Sequence, residues 1–162
     1  MIRESIVITT DLKNEPHIVP MGVIFKENKL IISPFVPSKT YLNLKENPYA
    51  VINFIDDVNV FVDALLGKKN FKIKPTKKIK SFYLKNTLTY LEIKVIKSYE
   101  SKLRPKFECK ILKETLLKSF KGFNRAQSSI IEAAILVSRI NIIPIKKIKK
   151  EINYLKIAID KT

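Results

Sequence analysis

One short stretch of the chain combines the residue types that bind a phosphate group. Ser38, Lys39 and Thr40 supply two hydroxyls and a cation at the predicted start of a helix, directly after the loop 34–37. The first N–H groups of a helix have no partner within it, and the helix dipole favours an anion there. These residues therefore predict a phosphate site, and the alternative is ordinary helix capping by Ser38 or Thr40.

Two asparagines occupy positions where a polar side chain needs a reason. Asn43 lies one turn into the predicted helix, and Asn53 interrupts the apolar run Tyr49–Ile55, which is typical of a buried strand. A buried amide must find hydrogen-bond partners. Those partners are either protein groups or a ligand edge rich in donors and acceptors, such as a flavin or pterin ring.

The remaining chemical candidates are isolated in the sequence. Arg125 follows Asn124 at a second predicted helix start, where it binds either the protein's own carboxylates or a phosphate or acidic substrate. His17 opens a strand and is interpreted as structural, and Cys109 is interpreted as a small core residue. No nucleophile and base form a pair, so the reactive atom of any enzyme built on this chain would belong to a cofactor.

Alternating and periodic apolar residues predict the elements that position these side chains. Six strands are predicted, with two short helices among them, and two longer helices follow; the lysine-rich excursion at 68–85 is predicted as a surface helix or other surface excursion. The predicted strands are 2–10, 17–25, 30–33, 49–55, 89–99 and 102–111. The predicted helices begin at Ser38 or Thr40, at Asp56 or Asp57, near Phe123 and at Pro144, and the third must be covered on several sides.

Composition excludes several classes of protein. The 162 residues suffice for one domain, and the lone Cys109 excludes an internal disulfide and points to a reducing compartment. Three glycines cannot form a dinucleotide or Walker loop, and one histidine does not support a His-rich zinc site. Neither a targeting segment nor a membrane-spanning segment is found, so we expect a cytoplasmic protein without a metal.

The net charge of +16 is distributed unevenly along the chain. Residues 1–66 carry six basic and eight acidic side chains, whereas residues 67–162 carry 25 and seven. Only four of the 31 basic residues are arginine, the residue that phosphate and base recognition favours. This favours solvated lysine faces, and the alternative is an anion-attracting surface.

Six ordered blocks carry a family resemblance over nearly the whole chain. They are Ile8-Thr9-Thr10, Pro20-Met21-Gly22-Val23, Thr40-Tyr41-Leu42-Asn43-Leu44, Val51-Ile52-Asn53-Phe54-Ile55-Asp56-Asp57, Phe123-Asn124-Arg125-Ala126-Gln127 and Ile131-Glu132-Ala133-Ala134. Together they resemble an uncharacterised, mostly archaeal domain-of-unknown-function family within the FMN-binding split barrels, the superfamily of the flavin reductases and flavoredoxins.

The resemblance implies a fold that is mainly β with α. Its core is a six-stranded antiparallel Greek-key split barrel, and C-terminal helices follow it. The family relation also implies a homodimer with FMN at the subunit interface. The phosphate of FMN would be held by Ser38, Lys39, Thr40 and Tyr41.

The resemblance further implies which residues lie beside the flavin ring. The strand with Met21, Gly22 and Val23 would lie against the isoalloxazine, where Gly22 permits close backbone approach. Asn53 would hydrogen-bond the polar edge of the ring or hold the wall beside it. The other candidate cofactor-binding residues are Asn43 and Arg125.

We therefore expect residues 1–112 to form the FMN-binding barrel and residues 113–162 to form a helical extension packed on it. The preferred hypothesis is a flavin-dependent oxidoreductase of unknown substrate, with a small-molecule electron donor or acceptor and no nucleic-acid partner. The first alternative is a basic module that binds nucleic acid or another polyanion. The second is a protein that binds flavin without catalysis.

Overall fold

The computed structural model describes residues 1–27 and 29–162. These residues form two compact units. The barrel unit contains residues 1–55 and 69–119, and the helical unit contains residues 56–68 and 120–162. The helix at 58–65 thus belongs with the helices near the C-terminus, and the barrel unit continues beyond the boundary predicted at residue 112.

The barrel unit is built on six strands in the order β1-β2-β3-β8-β7-β4, and the pairing of β1 with β4 closes the barrel. Every neighbouring pair is antiparallel. This confirms the predicted fold class. The strands are β1 (Ile2–Thr10), β2 (Pro16–Lys26), β3 (Lys29–Ile32), β4 (Tyr49–Phe54), β7 (Thr89–Tyr99) and β8 (Lys106–Leu116).

Alternation along the strands places one set of apolar side chains inside the barrel. The interior holds Val7, Val23, Leu30, Ile32, Ala50, Ile52, Leu91, Ile93, Phe107 and Cys109. A short helix, α1 (Lys39–Glu46), adds Leu44 to this core and packs Tyr41 against it. The β-branched composition of the strands explains their formation, and the shared interior explains their closure.

A small hairpin covers part of the outer surface of the barrel strands. It consists of β5 (Ile73–Pro75) and β6 (Phe82–Leu84), so the 68–85 excursion contains strands and no helix. Tyr83 stacks on Tyr90 of β7 with ring centroids 4.2 Å apart. The buried carboxylate of Glu92 accepts hydrogen bonds from the N–H groups of Lys78 at 2.7 Å and Ile79 at 2.8 Å. These contacts hold the 68–85 segment in a defined conformation. Its lysine content alone predicts only a solvated surface.

The helical unit contains α2 (Val58–Leu65), α3 (Arg125–Ser138) and α4 (Ile145–Ile159). The predicted caps are confirmed for Asp57, which accepts from the Asn59 N–H, and for Asn124, which accepts from the Ala126 N–H. Gly67 has a φ of +72°, as expected for the residue after a helix C-cap. None of the described helices is long and apolar enough to span a membrane.

Two details differ from the sequence predictions. The strand predicted at 102–111 lies at Lys106–Leu116, because Pro105 has no N–H to donate and the strand begins after it. Helix α3 was expected to be covered on several sides, yet only Ala126 and Ser129 are buried. Val137 of the same helix is exposed, so much of the apolar surface of α3 is not covered within this chain.

Candidate functional site

The first turn of α1 contains unpaired backbone hydrogen-bond donors, with Lys39 exposed and Thr40 buried. Ser38 is the N-cap, and its Oγ accepts a hydrogen bond from the Tyr41 N–H at 3.2 Å. The first hydrogen bond that the helix itself makes runs from the Leu42 N–H to the Ser38 carbonyl at 3.1 Å. The N–H groups of Lys39 and Thr40 therefore precede the helical ladder and have no partner within it.

Lys39 adds a positive charge to this turn. Its side chain is exposed and forms no ion pair within residues 1–27 and 29–162. Partial burial, and then the charge of Lys39, lower the pKa of the half-buried His17 on β2 below its usual range. The imidazole is consequently neutral at pH 7, and Lys39 is the principal cation at this helix start.

Buried contacts fix α1 on the barrel. The Asn43 Nδ2 donates to Thr9 Oγ1 of β1 at 3.0 Å, and both side chains are buried. Leu44 lies in the barrel core, and the Tyr41 ring packs against Phe107 with centroids 6.2 Å apart. Asn43 thus positions the helix, so its amide serves the protein's own structure. The donors of the first turn are held in place by these contacts.

Apolar side chains are exposed in the loop that leads into α1 and in the β7–β8 connection, which is hydrogen-bonded to it. Phe35 is 55% exposed and Leu103 is 62% exposed, and the Val36 N–H donates to the Leu103 carbonyl at 3.0 Å. The guanidinium of Arg104 lies 4.5 Å from the centre of the Phe35 ring and donates to the Ser33 carbonyl at 3.0 Å. Sequence reasoning missed Phe35 and Arg104, although the scarcity of arginine was an available signal.

The β2 residues predicted to face a flavin are largely committed to the protein. Val23 is fully buried inside the barrel, so its side chain cannot lie against a ligand on the outer surface. A Cβ on Gly22 would lie 2.9 Å from Ile2 Cγ2 and 3.4 Å from Glu4 Oε1. Glycine at this position accommodates the neighbouring side chains of β1. The Met21 carbonyl accepts from the Ser5 hydroxyl at 2.8 Å.

Asn53 is fully buried, and both ends of its amide have protein partners. Its Nδ2 donates to the Ile6 carbonyl at 3.1 Å, and its Oδ1 accepts from the Leu84 N–H at 2.9 Å. Two roles were predicted for Asn53, and these contacts agree with the second, in which it holds the wall beside the ring. Asn53 ties the β5–β6 hairpin to β1 and β4. If its Oδ1 accepted a hydrogen bond from a ring edge, that bond would compete with the existing bond from the Leu84 N–H.

Arg125 belongs to the helical unit, apart in sequence from the other predicted residues. It is the first residue of α3, and its side chain is exposed. It lines a cavity that is formed within the helical unit by α3 and the last turns of α4. The structure therefore brings together Ser38, Lys39, Thr40, Tyr41 and Asn43 on one helix, while Arg125 lies in the other unit.

The barrel unit also has a cavity of about 490 Å³, lined by none of the ten predicted site residues. It lies between the β1–β2 turn, which contributes Asp11, and the turn at 78–80. Asn47 and Tyr49 also line it. The first turn of α1 is therefore not a wall of this cavity.

The fold is the one that the resemblance implies. It is a closed six-stranded antiparallel barrel with a short helix packed on its core. The family model "Protein of unknown function (DUF447) N-terminal domain" matches residues 3–118, and "Protein of unknown function (DUF447)" matches residues 124–162. The chain therefore belongs to the DUF447 family, which confirms the resemblance.

Related proteins agree with this assignment. An uncharacterised protein of Methanocaldococcus jannaschii is 28% identical over 149 residues, which cover 86% of this chain and 75% of that protein. An FMN-bound DUF447 protein from Methanosarcina mazei has a TM-score of 0.86 and 18% identity, covering 99% of this chain and 86% of that one. Flavoredoxin from Methanosarcina acetivorans has a TM-score of 0.61 and 12% identity, covering 72% and 69% respectively.

Proposed function

We propose that this protein binds FMN and holds its phosphate at the first turn of α1. The observation that carries the proposal is the set of unpaired donors there: the Lys39 ammonium and the N–H groups of Lys39 and Thr40. The Ser38 hydroxyl, which already accepts from Tyr41, can still donate its proton to an anion. This donor set fits a phosphate dianion, and a family member of the same fold is FMN-bound.

The surroundings of this turn support a planar, apolar ligand next to the phosphate. Phe35 in the loop before α1 and Leu103 in the β7–β8 connection expose apolar surface, and Leu42 is 52% exposed on the helix itself. An isoalloxazine ring would cover such surface. The predicted contact of the ring with Met21, Gly22 and Val23 stays a prediction. In that contact, β2 would present its backbone, together with the β1 side chains that cover Gly22.

The proposed dimer rests on exposed apolar surface in each of the two units. Beside the α1 turn, Phe35 and Leu103 are exposed, so an FMN bound there needs a second wall. In the helical unit, Phe123 is 99% exposed and Ile142 is 80% exposed, which is unusual for a monomer. We infer that a second copy of the chain covers such surface and that FMN lies at the interface. Sedimentation of the FMN-loaded protein should give a dimer, and a monomer would contradict this inference.

Bound FMN would supply hydride or electron transfer, and the chain would supply position. In the proposed oxidoreductase, Lys39 and the first turn of α1 anchor the phosphate. Asn43 fixes that turn on the barrel through Thr9. The neutral His17 leaves Lys39 as the main charge toward the phosphate. The electron donor and acceptor would be small molecules.

The alternative of a polyanion-binding module is less well supported. In the lysine-rich excursion, the N–H groups of Lys77, Lys78 and Ile79 already donate to the Glu92 carboxylate. The excursion therefore offers an anion its lysine side chains and not a cradle of backbone donors. Exposed lysines of this kind are typical of a solvated surface.

Two substitutions test the phosphate assignment against FMN and riboflavin, which differ by the phosphate. Lys39→Ala removes the cation, and Ser38→Asp keeps a good N-cap while placing a negative charge at the proposed phosphate position. A hydrogen bond to a charged group contributes about 1.5–3 kcal/mol, so we expect each variant to weaken FMN by about 10-fold or more. Riboflavin affinity should be unchanged in both variants.

Lys45→Ala is the matched control. Lys45 lies on the same helix at the opposite end, where its ammonium pairs with Glu100 at 2.8 Å. FMN affinity should be the same in this variant as in the natural protein. If Lys39→Ala and Lys45→Ala bind FMN equally well, the phosphate is not held at the start of α1.

A further inference from the structure

The helical unit contains a cavity of about 310 Å³ that the proposed FMN site does not use. One wall is the first turn of α3, which contributes Arg125, Ser128 and Ser129. The other wall is the C-terminal end of α4 and the residues after it, which contribute Tyr154 and Lys161 among others. Apart from these polar groups, the lining is apolar.

The charge of this cavity is positive. No acidic side chain is among the residues that line it. Arg125 and Lys161 are both exposed, and neither forms an ion pair within the part of the chain that the structure describes. Two cations without a carboxylate partner at one cavity favour an anionic ligand.

A residue that is more than nine-tenths buried lines the same cavity. Ser129 is only 8% exposed. Its hydroxyl makes no hydrogen bond to any other described residue, whereas Ser138 of the same helix donates to the Ile135 carbonyl. The Ser129 oxygen is not among the fully enclosed polar atoms of the described residues, so it can be reached from the cavity. A ligand atom in the cavity would complete its hydrogen bonding.

Most backbone donors at this helix start already have partners. The Asn124 Oδ1 accepts from the Ala126 N–H at 2.8 Å and from the Gln127 N–H at 3.4 Å. The Ser128 N–H donates to the Asn124 carbonyl at 3.3 Å. The anion-binding character of the cavity therefore depends mainly on its side chains.

We propose that this cavity binds the phosphate group of a small organic phosphate. A guanidinium, an ammonium, two serine hydroxyls and a phenol surround one space, which matches the several acceptor oxygens of a phosphate better than the two of a carboxylate. The volume exceeds that of a phosphate, and Leu155 and Ala158 line the remainder. The organic part of the ligand therefore has an apolar face. This proposal goes beyond the FMN assignment and does not depend on it.

Phenyl phosphate is a suitable probe because it joins a phosphate to an apolar ring. Backbone amide shifts of Ser128 and Ser129 would be followed by NMR in the full chain during titration, with phenol as the probe that lacks the phosphate. We expect saturable shifts with phenyl phosphate and none with phenol. Arg125→Ala and Lys161→Ala should each weaken phenyl phosphate by about 10-fold or more, since each removes a charged hydrogen bond.

Lys147→Ala is the matched control, because Lys147 is an exposed lysine of α4 that does not line the cavity. It should leave phenyl phosphate affinity unchanged. Equal affinity for phenyl phosphate in the natural protein, Arg125→Ala and Lys161→Ala would overturn the proposal. So would the absence of saturable shifts.

FMN titrations of the same variants identify the source of the phosphate. If Arg125→Ala leaves FMN affinity unchanged while phenyl phosphate is lost, the cavity serves a second organic phosphate. If Arg125→Ala weakens FMN and phenyl phosphate competes with FMN, the cavity holds the phosphate of FMN. The second result supports a phosphate site in this cavity and contradicts the placement of the FMN phosphate at the first turn of α1. If the protein binds no flavin, the phenyl phosphate titration alone still tests the proposed phosphate site.

Discussion

Replacing Asn53 with alanine should release the β5–β6 hairpin from the barrel. In the natural protein the Asn53 amide bridges the Ile6 carbonyl of β1 and the Leu84 N–H of β6, and all three residues are buried. The next N–H along β6, that of Lys85, donates to the Lys72 carbonyl within the hairpin region. The Leu84 N–H points the other way and depends on Asn53.

The cost can be estimated from these two contacts. A buried polar group that loses its partner costs about 1–3 kcal/mol, and a carbonyl with a second lone pair in a sheet loses less than an N–H does. Asn53→Ala should therefore reduce the free energy of unfolding of the barrel unit by about 2–4 kcal/mol. Most of that loss falls on the attachment of the hairpin.

Two measurements separate the local effect from the global one. Urea unfolding gives the loss of stability, and hydrogen exchange followed by NMR gives the protection of the Leu84 amide. We expect Leu84 to exchange much faster in Asn53→Ala, because its N–H no longer has an acceptor. Amides at the centre of β1, such as that of Val7, should retain more of their protection.

Asn59→Ala is the control for the loss of an asparagine. Asn59 is exposed on α2, so its replacement should change stability by about 0.5 kcal/mol or less. The reasoning is refuted if Asn53→Ala costs no more than Asn59→Ala, or if Leu84 keeps its natural protection in Asn53→Ala.

Three further predictions concern buried or partly buried titratable groups. Glu92→Gln should destabilise the barrel unit by about 1.5–3 kcal/mol in urea unfolding. The reason is that one oxygen that accepts N–H groups of the 77–79 turn is replaced by a donor. An unchanged urea midpoint would contradict this. Burial raises the pKa of the Cys109 thiol to about 12. A thiol reagent at pH 8 should therefore label the protein only after unfolding. Rapid labelling of the native chain would be inconsistent with that burial. Because burial lowers the pKa of His17, the stability that depends on its neutral form is present above the unfolded value of 6.5 and is lost as the pH falls below it. His17→Gln should therefore flatten the decline in stability between pH 7 and pH 5 measured by urea unfolding, and an equally steep decline would show that His17 does not contribute.

The regular parts of the fold could be predicted because local patterns determine them. The strand at Thr89–Tyr99 and the helix at Lys39–Glu46 follow from alternation, a cap and a proline stop. Position narrowed the caps to Ser38 or Thr40 and to Asp56 or Asp57, and the structure selects Ser38 and Asp57.

The lysine-rich excursion could not be predicted because long-range contacts order it. Tyr83 stacks on Tyr90, Glu92 accepts from the 77–79 turn, and Asn53 accepts from Leu84. Tyr90 is seven residues from Tyr83, but Glu92 is 14 residues from Lys78 and Asn53 is 31 residues from Leu84. The same limit explains why Asn53 was open to two interpretations, since its partners lie 47 and 31 residues away.

The candidate site was only partly visible in the sequence. Ser38 and Lys39 form a local pattern, so the helix start could be predicted. The roles of Gly22 and Val23 depend on which strand face is inside and on the side chains of β1, neither of which a single strand reveals. Arg104 enters the site region through its contact with Phe35, which is almost 70 residues away in sequence.

The affinity of the natural protein for FMN relative to riboflavin tests the central claim most directly. Both flavins would be titrated into the full chain at the same ionic strength, with flavin fluorescence as the readout. A phosphate held by Lys39 and the first turn of α1 predicts that FMN binds at least about 10-fold more tightly than riboflavin. Equal affinities, or no binding of either flavin, would contradict the account.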